Sequence, residues 1–181
     1  NTADKGNLWV VRRFRGALGL QGSSGSRGAS AEGRDPATAP AGVIMRAELR
    51  RFQAGYRSEA GQLDLVVFSA PQLSLIEMQA LARLLSGRQV NRPLLAVTSP
   101  QVKPDADRLG LTAAIEVAGG TVLAGMCFYQ SYARELARAN GWRHLATNSA
   151  KLANIIGGYD YQPVLLSMEA WVEAACRGRI G

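Results

Sequence analysis

The sequence predicts an α/β fold: an open, mostly parallel sheet of about five strands with helices on both faces, preceded by a Gly/Ser-rich basic segment. Three observations carry that prediction. From residue 63 onward, short continuous apolar runs rich in branched side chains recur, the pattern of strands buried on both faces. Each run is followed by a stretch with helical character, several of them with apolar residues three and four apart. Glycines, alone or paired with each other or with Asn, close most of those stretches, where helices stop. Five strand-then-helix units in series select a parallel sheet, because a right-handed crossover joins parallel neighbours.

In order, "LDLVVFS" is the first strand. "SLIEMQALARLLSG" is a helix that Ser74 caps with Glu77 three residues on, and Leu75, Met78, Leu81, Ala82 and Leu85 share one face. "PLLAVTS" is the second strand, and "KPDADRLGLTAAIEVAGG" a helix closed by Gly119 and Gly120. "TVLAG" is the third strand, followed by the helix "QSYARELARANG". "WRHLAT" is the fourth, followed by the short helix "NSAKLANIIGG". "PVLLS" is the fifth, and "MEAWVEAACRG" closes the chain as a helix.

The 181 residues are 47% hydrophobic, enough for a core at this length. The formal charge of +7 is uneven: residues 1–61 hold ten Lys/Arg against five Asp/Glu, and residues 62–181 hold eleven against nine. Residues 20–42 are rich in Gly, Ser, Ala and Pro and read as linker or loop. No aromatic interleaving or finger spacing accompanies the arginines, so a nucleic-acid partner is not expected. Two cysteines make no disulfide framework. Neither a membrane-length apolar run nor a leader pattern is visible, so no membrane partner is expected and cytoplasmic location is the default expectation. The chain opens on Asn1 rather than Met, which suggests a fragment.

Open parallel sheets bind ligands at the carboxyl ends of their strands. The loops predicted there carry Ser69 to Gln72, Thr98 to Pro100, Gly125 to Cys127, Thr147 to Ser149, and Ser167 to Glu169. In "TNSAK", small polar side chains precede Lys151 at a helix start, which suits a carboxylate or phosphate; equally, Asn148 or Ser149 simply caps the helix. Cys127 has three readings: nucleophile, metal ligand or small core filler. With His144 as the sole histidine and no further thiol nearby, spacing favours filler.

The runs "LDLVVFSAPQLSLIEMQALARLLSGR", "LLAVTSPQV", "GGTVLAGMCFY", "HLATNSAKLANIIGG" and "PVLLSMEAWVEAACRG" together resemble the C-terminal half of the aconitase X catalytic domain. Residues 63–180 carry the likeness, about two thirds of the chain. "GSSGSRGASAEGRDPATAPAGVIMRAE" resembles the swivelling small domain of the same enzymes. The implied organisation is a swivelling-domain-like or poorly ordered segment at 1–61 and a catalytic-domain-like α/β domain at 62–181. The first half of the catalytic domain would then be missing, or another subunit would supply it.

The resemblance implies an iron-dependent hydro-lyase acting on a small hydroxy acid. Bacterial members resemble cis-3-hydroxy-L-proline dehydratases, and archaeal ones act on a phosphorylated mevalonate. It implies iron, as a mononuclear centre or an iron–sulfur cluster, acting as a Lewis acid on the leaving hydroxyl while a base removes the proton beside the carboxylate. Cys127 becomes the metal-ligand candidate. Thr147, Asn148, Ser149 and Lys151 match the family's Thr-Asn-Ser-x-Lys motif and would hold the substrate carboxylate, with Ser99 on the same rim. Ser23 or Ser24 matches the small-domain serine that closes over substrate. Ser24 and Lys151 are the candidates for catalysis itself.

The chain departs from the family at Ala70 and Gln72, where many members have Cys or Thr and then Pro-His. It departs again at Trp171, aligned with a family cysteine, and at Met126, which replaces a threonine. One well-placed thiolate does not hold a cluster. The alternative is therefore a truncated, inactive member that at most binds a small carboxylate.

Overall fold

The computed structural model describes residues 46–56, 61–131 and 133–180. The Gly/Ser-rich basic segment, with Ser23 and Ser24, lies outside the described residues. The chain divides into two compact units, Asn1–Gly55 and Tyr56–Gly181. In the first, the described element is helix α1, Arg46–Ala54. Glu48 in its first turn and Arg51 in its last match the sign of the helix dipole at each end.

The second unit holds β1 (Leu65–Leu73), α2 (Leu75–Leu85), β2 (Leu94–Thr98), α3 (Lys103–Arg108), α4 (Leu111–Val117) and β3 (Thr121–Ala124). It continues with a 3-10 turn (Phe128–Gln130), α5 (Ala133–Asn140), β4 (His144–Thr147), α6 (Ala150–Ile156), a second 3-10 turn (Gly157–Tyr159), β5 (Gln162–Leu165) and α7 (Met168–Arg177). The sheet has five strands in the order β3-β2-β1-β4-β5, and every pairing is parallel. The expected α/β architecture is what the chain forms.

The central strand explains the apolar texture. Leu65 to Ala70 are buried at every position, because helices cover both faces. One face packs Val66, Phe68 and Trp171 with residues of α2, α3, α4 and α7; the other packs Leu65, Val67, Phe128 and Tyr161 with α5 and α6. Each fully buried large side chain contributes about 1.5–3 kcal/mol. Pro163 is accommodated because β5 is an edge strand.

Local chemistry sets the boundaries. Ser74 and Glu77 form the capping box expected at the start of α2. The long helix expected from Lys103 is two helices instead, because Gly110 takes a left-handed conformation (φ 71°) between them. The α6 helix ends where expected, at Ile156 with Gly157 as its C-cap; Gly157 stays right-handed and leads into a 3-10 turn that Asp160 closes at φ 70°. The first strand runs past Ser69 to Leu73, with its register against β2 shifting between Phe68 and Leu73. Ala70 within that stretch has φ 56°, and the Ala70–Pro71 bond is cis.

Candidate functional site

Strand order reverses at β1: β2 and β3 lie to one side, β4 and β5 to the other. Helices leave β1 and β4 on opposite faces of the sheet, so the carboxyl ends of these strands flank the crevice where parallel α/β sheets take ligands.

The loops around that crevice are tied to one another. Ser149 Oγ, from the start of α6, donates to the Ala70 carbonyl oxygen at the end of β1. Gln72 Nε2 donates to the Met126 carbonyl oxygen at 3.1 Å, drawing the turn that bears Cys127 against the tail of β1. The Gly125 amide donates to the Thr98 carbonyl oxygen at 3.1 Å. Gly125 has φ 72°, and a Cβ there would lie 3.0 Å from Pro100 Cγ, so only glycine suits this close pass. Thr98 Oγ1 donates to the Leu73 carbonyl oxygen at 2.7 Å. From beneath, Trp171 Nε1 donates to the Thr147 carbonyl oxygen at 2.8 Å.

The structure thus brings Cys127, Thr147, Asn148, Ser149 and Lys151 to one rim, with Ser99 on the adjoining loop. Their side chains are not equally available. Thr147 is fully buried, and its Oγ1 accepts from the Ser149 amide at 3.1 Å. Ser149 is buried and caps α6, accepting from the Leu152 amide at 3.1 Å. The cap reading of the Thr-Asn-Ser cluster is therefore realised in the geometry. Ser99 Oγ accepts from the Val102 amide at 3.2 Å, shaping the turn into α3. Asn148 and Cys127 are half-buried, and Lys151 is exposed. Lys151 enters none of the ion pairs among the described residues.

Two neighbours were not legible as site residues. Ser69 is 1% exposed, and its Oγ has no hydrogen-bond partner among the described residues, unlike the buried hydroxyls of Thr98, Thr147 and Ser149. Nothing in its neighbourhood along the chain, an apolar strand, distinguishes it from a strand-ending serine. Tyr129 stands two residues beyond Cys127 and packs edge-on against Tyr159, with ring centroids 6.2 Å apart. Hydrogen bonding with the Cys127 side chain, and then desolvation, pushes the Tyr129 phenol above its ordinary range.

His144 lies elsewhere. It opens β4, so it sits at the amino ends of the strands, away from the rim that carries Cys127. There the Asp64 carboxylate accepts from the backbone amides of Arg143 and His144, both at 2.8 Å, and lies 3.3 Å from His144 Nδ1. The sole histidine fastens β4 beside β1, and a Cys127–His144 pair is excluded by the topology.

The donor set also bears on iron. The chain has two cysteines and one histidine. Cys127 is on the rim, Cys176 packs against the core near the end of α7, and His144 is at the far edge. Among the described residues no group of three His, Cys, Asp or Glu side chains converges to hold a metal. These residues do not fit an iron centre by themselves.

Fold and rim together define a class: a doubly wound parallel α/β domain whose loops interlock at its topological switch point. The chain belongs to the aconitase X family: the family model of the aconitase X third domain matches residues 63–177. The phosphomevalonate dehydratase large subunit of Methanocaldococcus jannaschii is 38% identical over 90 residues, which is 50% of this chain and 21% of that protein. Its counterpart in Methanothermobacter thermautotrophicus is 33% identical over 95 residues, 52% of this chain and 23% of that protein. The crystal structure of Thermococcus kodakaraensis aconitase X in its holo-form superposes with a TM-score of 0.63 at 28% identity, covering 71% of this chain and 33% of that one. The chain thus spans less than a quarter of the curated relatives and a third of the solved structure. Among the described residues no helix is long and apolar enough to cross a membrane.

Proposed function

We propose that residues 62–181 form one wall of the active site of an aconitase X-type hydro-lyase that dehydrates a small hydroxy acid, with residues 1–61 as a swivelling-domain-like segment. The observation that carries this reading is the interlocked rim, which Asn148 and exposed Lys151 share with the turn bearing Cys127. In the proposed roles, Lys151 neutralises the substrate carboxylate, Asn148 orients it, and Thr147, Ser149 and Ser99 hold the loops in register. Ser24 would close over the substrate beside Ser23. An iron centre of the family's kind would take Cys127 as one ligand and draw the others from outside the described residues; those present do not fit it, and no step is derived through it. The relatives' name favours a phosphorylated hydroxy acid, and the family resemblance also admits cis-3-hydroxy-L-proline. Because those relatives are large subunits of a two-part enzyme, the missing wall is proposed to come from the rest of a longer chain or from a second subunit.

A second reading has its own support. The hydroxyls of Thr147 and Ser149 are occupied internally, Gln72 is committed to Met126, and one rim thiol stands alone. These features favour a catalytically inactive member that binds a carboxylate and does not turn it over.

Calorimetric titration of the chain with phosphomevalonate and with cis-3-hydroxy-L-proline tests the site. The expected result is millimolar or tighter binding of one of them, weakened about fivefold or more in Lys151→Met, as loss of one charge-assisted contact requires. No heat from either ligand would remove the proposed site from this chain. Binding without dehydration, when the remainder of the enzyme is supplied, would select the second reading.

A further inference from the structure

We propose that Gln72 is the positioning residue of Cys127, one half of a two-point clamp that sets where the thiol stands on the rim. The turn from Gly125 to Cys127 leaves edge strand β3 and must return toward the centre of the sheet, since Phe128, the next residue, is fully buried in the core beneath α5 and α6. The Gln130 amide holds the Cys127 carbonyl locally at 3.0 Å, and two hydrogen bonds from neighbouring strands fix the course of the turn. The Gly125 amide is held by the Thr98 carbonyl at the end of β2, and the Met126 carbonyl is held by Gln72 Nε2 on the tail of β1, 54 residues earlier in the chain. The first anchor is backbone alone and is enforced by the contact of Gly125 with Pro100. The second depends on one side chain, and it is the one adjacent to Cys127. Gln72 is itself placed by the β1 tail: Ser149 grips Ala70 two residues before it, and Thr98 grips Leu73 one residue after it. The clamp therefore couples the thiol to the Asn148–Ser149 turn through β1.

The inference deepens the reading of Cys127 as a site residue, but its test does not depend on that reading. Iodoacetamide labelling of the intact chain, followed by peptide mass mapping, reports Cys127 and Cys176 separately. Cys176 packs against the core near the end of α7, remote from the clamp, and serves as the internal reference. Gln72→Glu keeps the shape but replaces the donor with an acceptor facing the Met126 carbonyl. It should raise the Cys127 labelling rate about three- to tenfold, the shift in loop opening that loss of one net hydrogen bond gives, with Cys176 unchanged. Gln72→His, whose ring nitrogen reaches about as far as the glutamine amide, should return the rate to within about twofold of the original. An unchanged Cys127 rate in Gln72→Glu, or equal acceleration of both cysteines, would overturn the proposal. Selective acceleration in a chain that binds neither hydroxy acid would keep the clamp and remove the dehydratase reading.

Discussion

Asp64 illustrates how one carboxylate can take a lone histidine out of the chemistry. Its burial opposes ionisation, but the backbone amides of His144 and Arg143 and the His144 ring outweigh that cost and hold its carboxyl below the ordinary range. A depressed folded-state value means the group adds stability above the unfolded value near 4 and loses it as pH falls through the folded value. Asp64→Asn, which keeps one acceptor but no charge, should therefore cost about 1–2 kcal/mol at neutral pH. The gap between variant and parent should close as pH drops below about 4, where the parent loses its advantage. Urea melts of both proteins at several pH values measure this, and a constant gap would mean the contribution is not electrostatic. A sequence could show only that His144 stood at a strand start. Its partner lies 80 residues away, and only the β1–β4 register brings the two together.

At the scale of elements, the strand and helix pattern was readable because burial on both faces of a parallel sheet forces continuous apolar runs, and caps such as Ser74 with Glu77 are local. The errors fell where a short-range signal was outvoted. Leu109 and Gly110 sit inside an otherwise helical composition, yet the left-handed glycine splits it in two. The β1 tail, read as a loop for its Pro and Gln, stays in the sheet because Thr98 holds Leu73 and Ser149 holds Ala70, neither of which is visible from the tail itself. Trp171 is the clearest long-range case. It is fully buried in α7, and its indole N–H supports the Thr147 carbonyl from below. The Leu166 amide shares that carbonyl at 3.3 Å, so the oxygen is not orphaned when the indole is lost. Trp171→Phe should accordingly cost about 1–3 kcal/mol, from the lost bond and the smaller ring. Thermal unfolding reads the cost, and a neutral result would show that Leu166 alone satisfies Thr147.

For the whole molecule, family membership was legible from the order of motifs along residues 63–180, and the family model matches 63–177, whereas the state of the site was not legible, since it depends on which donors converge. Convergence argues against iron in this chain alone. Thiolate clusters need several cysteines directed at one point, and the two cysteines here lie apart: one on the carboxyl rim, one near the end of α7, packed against the core. The histidine that could join a mononuclear site is at the opposite end of β4. Ferrous iron and sulfide supplied anaerobically should therefore leave far less than one iron per chain after desalting, without thiolate charge-transfer absorption. Supplying the rest of the enzyme should add the missing ligands and raise iron retention in a manner that Cys127→Ala abolishes. Stoichiometric iron in the isolated chain, lost in Cys127→Ala, would require carboxylates or a second copy to complete the sphere. Iron retention by the completed enzyme that is indifferent to Cys127→Ala would leave the thiol with the packing role that its half-buried position also allows.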